Sequence, residues 1–447
     1  LKATLAPDSL ALALVLAARA CQGVRDQHSL TAMLEDTFGS VDGRSASREA
    51  RAAAQDLAFF TMRWRARGDA LLKRLSKRAP DPQVIAELLV IALAVLDGKE
   101  RPSAPRYAAH TLVDQAVAAA GYLAPRAAER VLGGFVNAVL RRALARPKEV
   151  FDSLDAARGA QDTERLNYPS WWIDAVQRAY PQQYLDILDS GQSQAPLSLR
   201  VNRRRINQSD AIARLDAAGI EARALGETGV RLVRARRTDL IPGFAEGFYS
   251  VQDEAAQRAA PLLDLKDGQR VLDACAAPGG KSGHILETAD VDLTALDVDA
   301  KRLRKVADNL DRLGLRATLV TGDAAQPDGW WDGQPYQRIL ADLPCSASGI
   351  VRRHPDIRWL RRESDIASLS HRQQQMLDAL WRLLAPNGKL LVVTCSIFPQ
   401  EGVLLANHFL SCHHDARSLA APGQLLPEAT EHVNHDGLFY SLIEKAA

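Results

Sequence analysis

Cys345 lies in the stretch ILADLPCSASG, Ile339 to Gly349, and Cys395 in VVTCSIFPQEG, Val392 to Gly402. Each thiol follows a short apolar run with the pattern of a buried strand, and each is followed by a serine. Parallel strands deliver their C-terminal ends to one crevice, so the two sulfurs are expected at one site. A thiolate placed there can add to an electron-poor unsaturated carbon and leave again, which is covalent catalysis. One small cysteine is commonly a core filler; two at adjacent strand ends argue for chemistry.

A second motif supplies a ligand site. VLDACAAPGGKSGHIL, Val271 to Leu286, reads as strand, Gly-rich turn and helix. Its turn, Cys275, Ala276, Ala277, Pro278, Gly279, Gly280 and Lys281, lets a ligand approach the backbone at a helix N-terminus. The turn has neither the G-x-G-x-x-G of dinucleotide sites nor a correctly spaced G-K-[ST] of a phosphate loop. Asp297 ends the next strand, where a carboxylate accepts ribose hydroxyls, and Asp323 ends the one after, within reach of an adenine. Asp273, Asp297 and Asp323 together suit a cationic cofactor without phosphate, and S-adenosylmethionine is the expected ligand. A methyl donor beside two thiols suggests methylation at C5 of cytosine. That carbon becomes nucleophilic only after a thiolate has added to C6. Asp342, in DLPCS, is expected at the pyrimidine edge, and Lys281 is expected to lower a thiol pKa by its charge. These residues alone do not decide which thiol attacks.

The positioning elements follow from periodicity. Residues 1 to about 142 are Ala- and Leu-rich, with helices expected over 56–75, 83–96, 106–121 and 128–144 and with Pro80, Pro82 and Pro105 between them. The uncharged run in LALALVLAARAC, Leu10 to Cys21, stops at Ala18, so a buried first helix is expected in place of a secretory leader. A helix over 166–181 and a small α/β region follow, the latter with strands near 197–206 and 229–233 and a helix over 209–219. From about 265, strands at 268–275, 291–297, 316–323, 336–342 and 388–396 alternate with helices near 280–289, 300–313 and 367–385, which predicts a parallel sheet covered on both faces. Gly437 to Lys445 is expected as a late strand at the sheet edge.

Charge is uninformative globally, 56 basic against 54 acidic residues, so an RNA partner has to be met locally. Three arginine groups are the candidates: Arg19, Arg63, Arg65, Arg74, Arg78, Arg141 and Arg142 in the bundle; Arg200, Arg203 to Arg205, Arg234, Arg236 and Arg237 in the middle region; and Arg352, Arg353, Arg358, Arg361 and Arg362 after the P-C turn. His354 or Trp359 is considered for stacking near a looped-out target base. The five cysteines have no zinc-like spacing, and a reducing, cytoplasmic setting is expected.

DACAAPGGK, ALDVDAKRL, ADLPCSASG, RRHPDIRW and VVTCSIFPQEG together resemble the RNA 5-methylcytosine methyltransferases of the Sun/Fmu (RsmB-like) type. GGFVNAVLRR, Gly133 to Arg142, resembles the NusB-like domain of the bacterial 16S ribosomal RNA members, while LRVNRRRI and YSVQDEAAQ fall where that family keeps a linking RNA-binding region. The resemblance implies an all-α NusB-like domain over 1–145, a small α/β linking region over 146–240 and a Rossmann-like class I methyltransferase domain over 241–447. It implies attack on C6 by Cys395, product release assisted by Cys345, and a cofactor pocket built from Cys275 to Lys281, Asp297, Asp323 and Asp342. The implied partner is 16S ribosomal RNA, met by a monomer without metal or membrane. Transfer RNA as substrate, and a noncatalytic RNA-binding assembly factor, are the alternatives; a nicotinamide oxidoreductase lacks its fingerprint. The family usually has asparagine after the glutamate that follows T-C-S, where this chain has Gly402.

Overall fold

The computed structural model describes residues 4–447 except 79, 99–100, 102–103, 153, 155–161 and 431. They divide into two compact units, one formed by residues up to 194 with 351–362, the other by 195–350 and 363–447.

The first unit is the expected helical bundle. Its helices are α1 (Leu10–Arg25), α2 (Leu30–Gly39), α3 (Val41–Ser45), α4 (Arg48–Arg63), α5 (Arg65–Leu75), α6 (Gln83–Asp97), α7 (Ala109–Leu123) and α8 (Glu129–Ala145). Serine caps open the first four; in α1 the Ser9 hydroxyl accepts from Leu12 N. α1 and α6 are buried almost throughout, so LALALVLAARAC is a core helix of the bundle. The segment expected as one helix over 56–75 is two, broken at Trp64, whose φ of −115° leaves the helical range.

RRHPDIRW lies in this unit. Asp356 Oδ2 accepts from Leu30 N at 2.9 Å, and Trp359 donates its indole N–H to Met62 O at 2.7 Å. Arg358, fully buried, donates to Asn167 O and Gly191 O and lies over the Tyr168 ring. Arg352 is buried as well. Arg352 and Arg358 are therefore not free phosphate contacts, and Trp359 is packing rather than a stacking platform. The bundle's expected basic face is corrected likewise: Arg65 is interior, held by Glu87, and Arg63 donates to Arg352 O, leaving Arg74, Arg78, Arg141 and Arg142 outside.

The second unit contains two main sheets. The smaller runs β2 (Ala222–Leu225), β3 (Gly229–Leu232), β1 (Ser198–Val201), β4 (Tyr249–Val251), all antiparallel. Helix Gln208–Ala217 buries Ala211 and Leu215 against it. The larger sheet has seven strands: β10 (Ala416–Leu425), β13 (Leu438–Lys445), β9 (Leu384–Thr394), β8 (Tyr336–Asp342), β5 (Arg270–Asp273), β6 (Asp292–Asp297) and β7 (Thr318–Thr321). A two-residue ladder, β11 (Glu428–Ala429) with β12 (Asn434–His435), lies between β10 and β13 in the chain. The strands from β9 to β7 are parallel, and β13 joins β9 antiparallel. β13 is not the edge strand expected: β10 pairs outside it. The strands switch order between β5 and β8, so the crevice opens beyond Asp273, Asp297 and Asp342.

Candidate active site

The β8–β9 register sets the thiols. Leu340 faces Leu391 and Asp342 faces Val393, so the P-C and T-C-S loops leave the sheet at the same level. Pairing continues past the strands, Leu343 N to Val393 O and Gly349 N to Cys395 O, both at 2.9 Å. The two sulfurs end 3.3 Å apart, within contact of each other. Cys345 is buried and its thiol pKa is pushed well up, first by the hydrogen bond with Cys395 and then by burial. Both causes favour the neutral Cys345 thiol in contact with the Cys395 sulfur.

Beside the thiols, Lys281 Nζ donates to Asp342 Oδ2 at 2.6 Å. Burial works to lower the Lys281 pKa, but the Asp342 carboxylate outweighs it and the net direction is upward, so the ammonium stays charged. Cys395 adds a smaller contribution in the same upward direction. Cys275 differs from the two paired thiols: burial first, then Asp342, Asp273 and Asp297, push its pKa well up, which makes it an inert part of the turn.

The Gly-rich turn and the strand-end acids have distinct places. Gly279 takes a positive φ of 98° and its Cβ position abuts Val306 at 3.0 Å, so only glycine fits this cap of helix Gly280–Thr288. At Gly280 a Cβ would meet nothing, leaving open space over the backbone. Asp297, 3% exposed, accepts from Ala277 N and Asp299 N and so joins the turn to the next strand. Asp323 accepts from Ala325 N and from Arg372 at 2.5 Å; burial opposes its ionisation, but these donors outweigh it and hold its pKa low. Asp273 does not reach the crevice surface: it is fully buried, accepts from Ser282 Oγ at 2.6 Å, and burial lifts its pKa to about 7. Its Oδ1 has no hydrogen-bond partner among the described residues. Val298, directly after Asp297, is apolar yet 68% exposed. Periodicity gave no reason to single it out, although an apolar side chain inside DVDAK was the available signal.

The residue most underweighted by sequence reasoning is Glu401. Its carboxylate is fully buried and accepts from Ser346 N at 2.8 Å, Ser396 Oγ at 2.7 Å and Gln373 Nε2 at 3.1 Å. Ser346 and Ser396 are the residues directly after the two cysteines, so one carboxylate holds both loops. Ser348 completes the cluster, bonding Ser346 and Ser396 and accepting from Ile397 N. At Gly402 a Cβ would stand 3.2 Å from the Phe439 ring, so the glycine in place of the usual asparagine suits this packing.

Arg200 is corrected from the RNA-contacting group: it is fully buried, paired with Glu287 and donating to Gly280 O behind the turn. Arg203, Arg204, Arg205, Arg234, Arg236 and Arg237 remain exposed. Among the described residues no group of His, Cys, Asp and Glu is arranged to hold a metal, and no helix is long and apolar enough to cross a membrane.

Three family models match: the NusB family over residues 12–145, a ferredoxin-like domain of the RsmF/B-like methyltransferases over 168–239, and the 16S rRNA methyltransferase RsmB/F over 260–443. A ribosomal RNA small subunit methyltransferase B of Pseudomonas putida is 39% identical, with 98% of this chain and 97% of that protein covered. Its counterpart in Vibrio cholerae is 41% identical over 80% of this chain and 81% of its own. Among solved structures, a methyltransferase homolog protein from Pyrococcus horikoshii superimposes with a TM-score of 0.55 at 26% identity, covering 63% of this chain and 97% of that one. Another, 22% identical, covers both chains end to end with a TM-score of 0.75 and speaks for the fold. The chain belongs to the RsmB/F family of 16S ribosomal RNA methyltransferases.

Proposed function

We propose that Cys395 is the nucleophile and Cys345 the release residue of an S-adenosylmethionine-dependent RNA cytosine-C5 methyltransferase acting on 16S ribosomal RNA. The observation that carries this reading is the pair of sulfurs 3.3 Å apart beside the Lys281–Asp342 ion pair. Direct methylation of an amine needs no thiol, and a binding factor needs no such set.

The turn from Cys275 through Ala276, Ala277, Pro278, Gly279 and Gly280 to Lys281 holds the cofactor, Asp297 its ribose, and Asp323 and Val298 its adenine. S-adenosylmethionine supplies the electrophile, a methyl group on a sulfonium. Cys395, as thiolate beside the Lys281 ammonium, adds to C6 of a cytosine taken out of its stack. Asp342, oriented by Lys281, contacts the pyrimidine edge at N3 and favours its protonation as electron density moves to C5. After methylation C5 carries both a proton and the new methyl. Loss of the C5 proton to a base and expulsion of Cys395 as a thiolate restore the aromatic ring, and Cys345, in contact with the Cys395 sulfur, assists this release.

All these groups come from one chain, which supports action as a monomer. The free cysteines suit a cytoplasmic setting. The domain limits 1–145, 146–240 and 241–447 accompany this reading. The test is transfer of labelled methyl to unmodified 16S ribosomal RNA and, separately, to bulk unmodified transfer RNA, with products digested to nucleosides. Label in 5-methylcytosine from the ribosomal RNA is expected; label confined to transfer RNA overturns the substrate, and label in another nucleoside overturns the chemistry.

A further inference from the structure

A second cavity, of about 510 Å³, lies in the catalytic unit away from the thiols and the strand-end acids. Its floor is the C-terminal half of helix Gly280–Thr288, with His284 and Thr288, and its walls include Leu225 and Leu262. Its size is that of a small-ligand site, and its walls are mainly apolar. Two features mark it as more than a packing gap. His284 is 5% exposed, yet its Nδ1 finds no hydrogen-bond partner, and such buried orphans are rare. Burial and the nearby Arg200 and Arg203 charges push the His284 pKa well down, so the ring is neutral and carries one donor and one acceptor. At the rim, Arg203 and Arg258 are exposed and engage no acceptor among the described residues; of the lining acids, Glu254 and Glu287 are paired with Arg231 and Arg200 and Glu227 is exposed, so two free arginines outnumber one carboxylate. The rim therefore favours an anion above an apolar slot with a polar edge-reader at its floor.

We propose that this cavity takes one unstacked nucleotide of the RNA substrate, its base between Leu225 and Leu262 with its edge toward His284, and its phosphate between Arg203 and Arg258. The assignment rests on the RNA-methylating reading above. RNA is favoured over a free nucleotide because Arg203 is continuous with the exposed Arg204 and Arg205, a run that tracks a backbone beyond one phosphate. The site would hold the RNA at a point separate from the target cytosine.

The test fills the slot with Thr288→Trp, at an exposed position on the cavity floor, and separately removes the rim charges with Arg203→Ala/Arg258→Ala. Binding of a 16S ribosomal RNA fragment is measured at two salt concentrations, with cofactor affinity as the check on folding. Thr288→Trp is expected to weaken RNA binding about tenfold at an unchanged salt slope, the scale of one stacked base. The rim variant is expected to weaken it and flatten the salt slope. Irradiation of 4-thiouridine-substituted RNA with the wild-type chain is expected to label peptides 259–266 and 282–301, and Thr288→Trp to abolish that label. Wild-type RNA affinity in both variants overturns the proposal, as does AMP protecting the cavity while RNA does not. A wild-type chain that crosslinks at the cavity but transfers no methyl overturns the enzymatic reading and leaves the cavity's RNA occupancy standing.

Discussion

Replacing Glu401 should damage both the reaction and the fold, by separable routes. In Glu401→Ala, the Ser346 N–H and the Gln373 amide lose a buried acceptor, while the Ser396 hydroxyl can turn to Ser346 or Ser348, 3.2 and 3.0 Å away. Two stranded donors at about 1–3 kcal/mol each give a loss of about 2–6 kcal/mol in stability. The catalytic cost arises separately, because the same carboxylate spaces the residues after both cysteines. A shift of about 1 Å between reacting groups is worth on the order of 100-fold in rate. Glu401→Gln, isosteric and still an acceptor through one oxygen, should keep most of the stability and lose less rate. The assay is single-turnover methyl transfer at saturating RNA and cofactor, with KM for RNA measured alongside and folding checked by thermal melting. The expected outcome is a kcat lowered about 100-fold in Glu401→Ala with KM little changed. A folded Glu401→Ala with near wild-type kcat would refute the argument that this carboxylate positions the thiols.

Two further outcomes follow. Burial raises the folded pKa of Asp273 to about 7, above an unfolded value of about 4. The folded chain therefore keeps a proton that the unfolded chain has released, and this contribution to stability is lost as pH rises from about 4 through 7. Measured without cofactor by urea titration, Asp273→Asn should gain on the wild type as pH rises through that window, and a pH-independent difference would contradict it. Arg358→Ala leaves Asn167 O and Gly191 O unpaired and the Tyr168 ring uncovered, so it should cost about 2–4 kcal/mol of stability in the melting of the bundle unit; an unchanged melt with a flatter salt slope for RNA would instead restore Arg358 to the phosphate contacts.

Most of the sheet was legible because its strands are apolar runs bounded by turns, and β5 to β9 fell close to the expected ranges. β10 was not: ARSLAAPGQL is half-exposed, proline-containing and bulged between Leu419 and Gly423, so it has neither alternation nor an apolar run. The site's thiols, Lys281 and strand-end acids carry local motifs and were visible. Glu401 was less so, because its importance lies in donors from three separate segments, 346, 373 and 396, that only the fold brings together. The arginines failed for a related reason. Arg200, Arg352 and Arg358 have the composition of a phosphate-binding surface, but guanidinium groups are also used to satisfy buried carboxylates and carbonyls, and sequence does not distinguish the two uses.

The division of labour between the two cysteines is the central claim, and denaturing electrophoresis of the chain with labelled 16S ribosomal RNA and S-adenosylmethionine tests it directly. Cys345→Ala should methylate once and remain covalently attached to the RNA through Cys395, giving a slow-migrating adduct that the wild type does not accumulate, while Cys395→Ala and the double variant should give neither adduct nor methylated product. An adduct that persists in Cys395→Ala and is absent from Cys345→Ala would reverse the two roles and contradict the account.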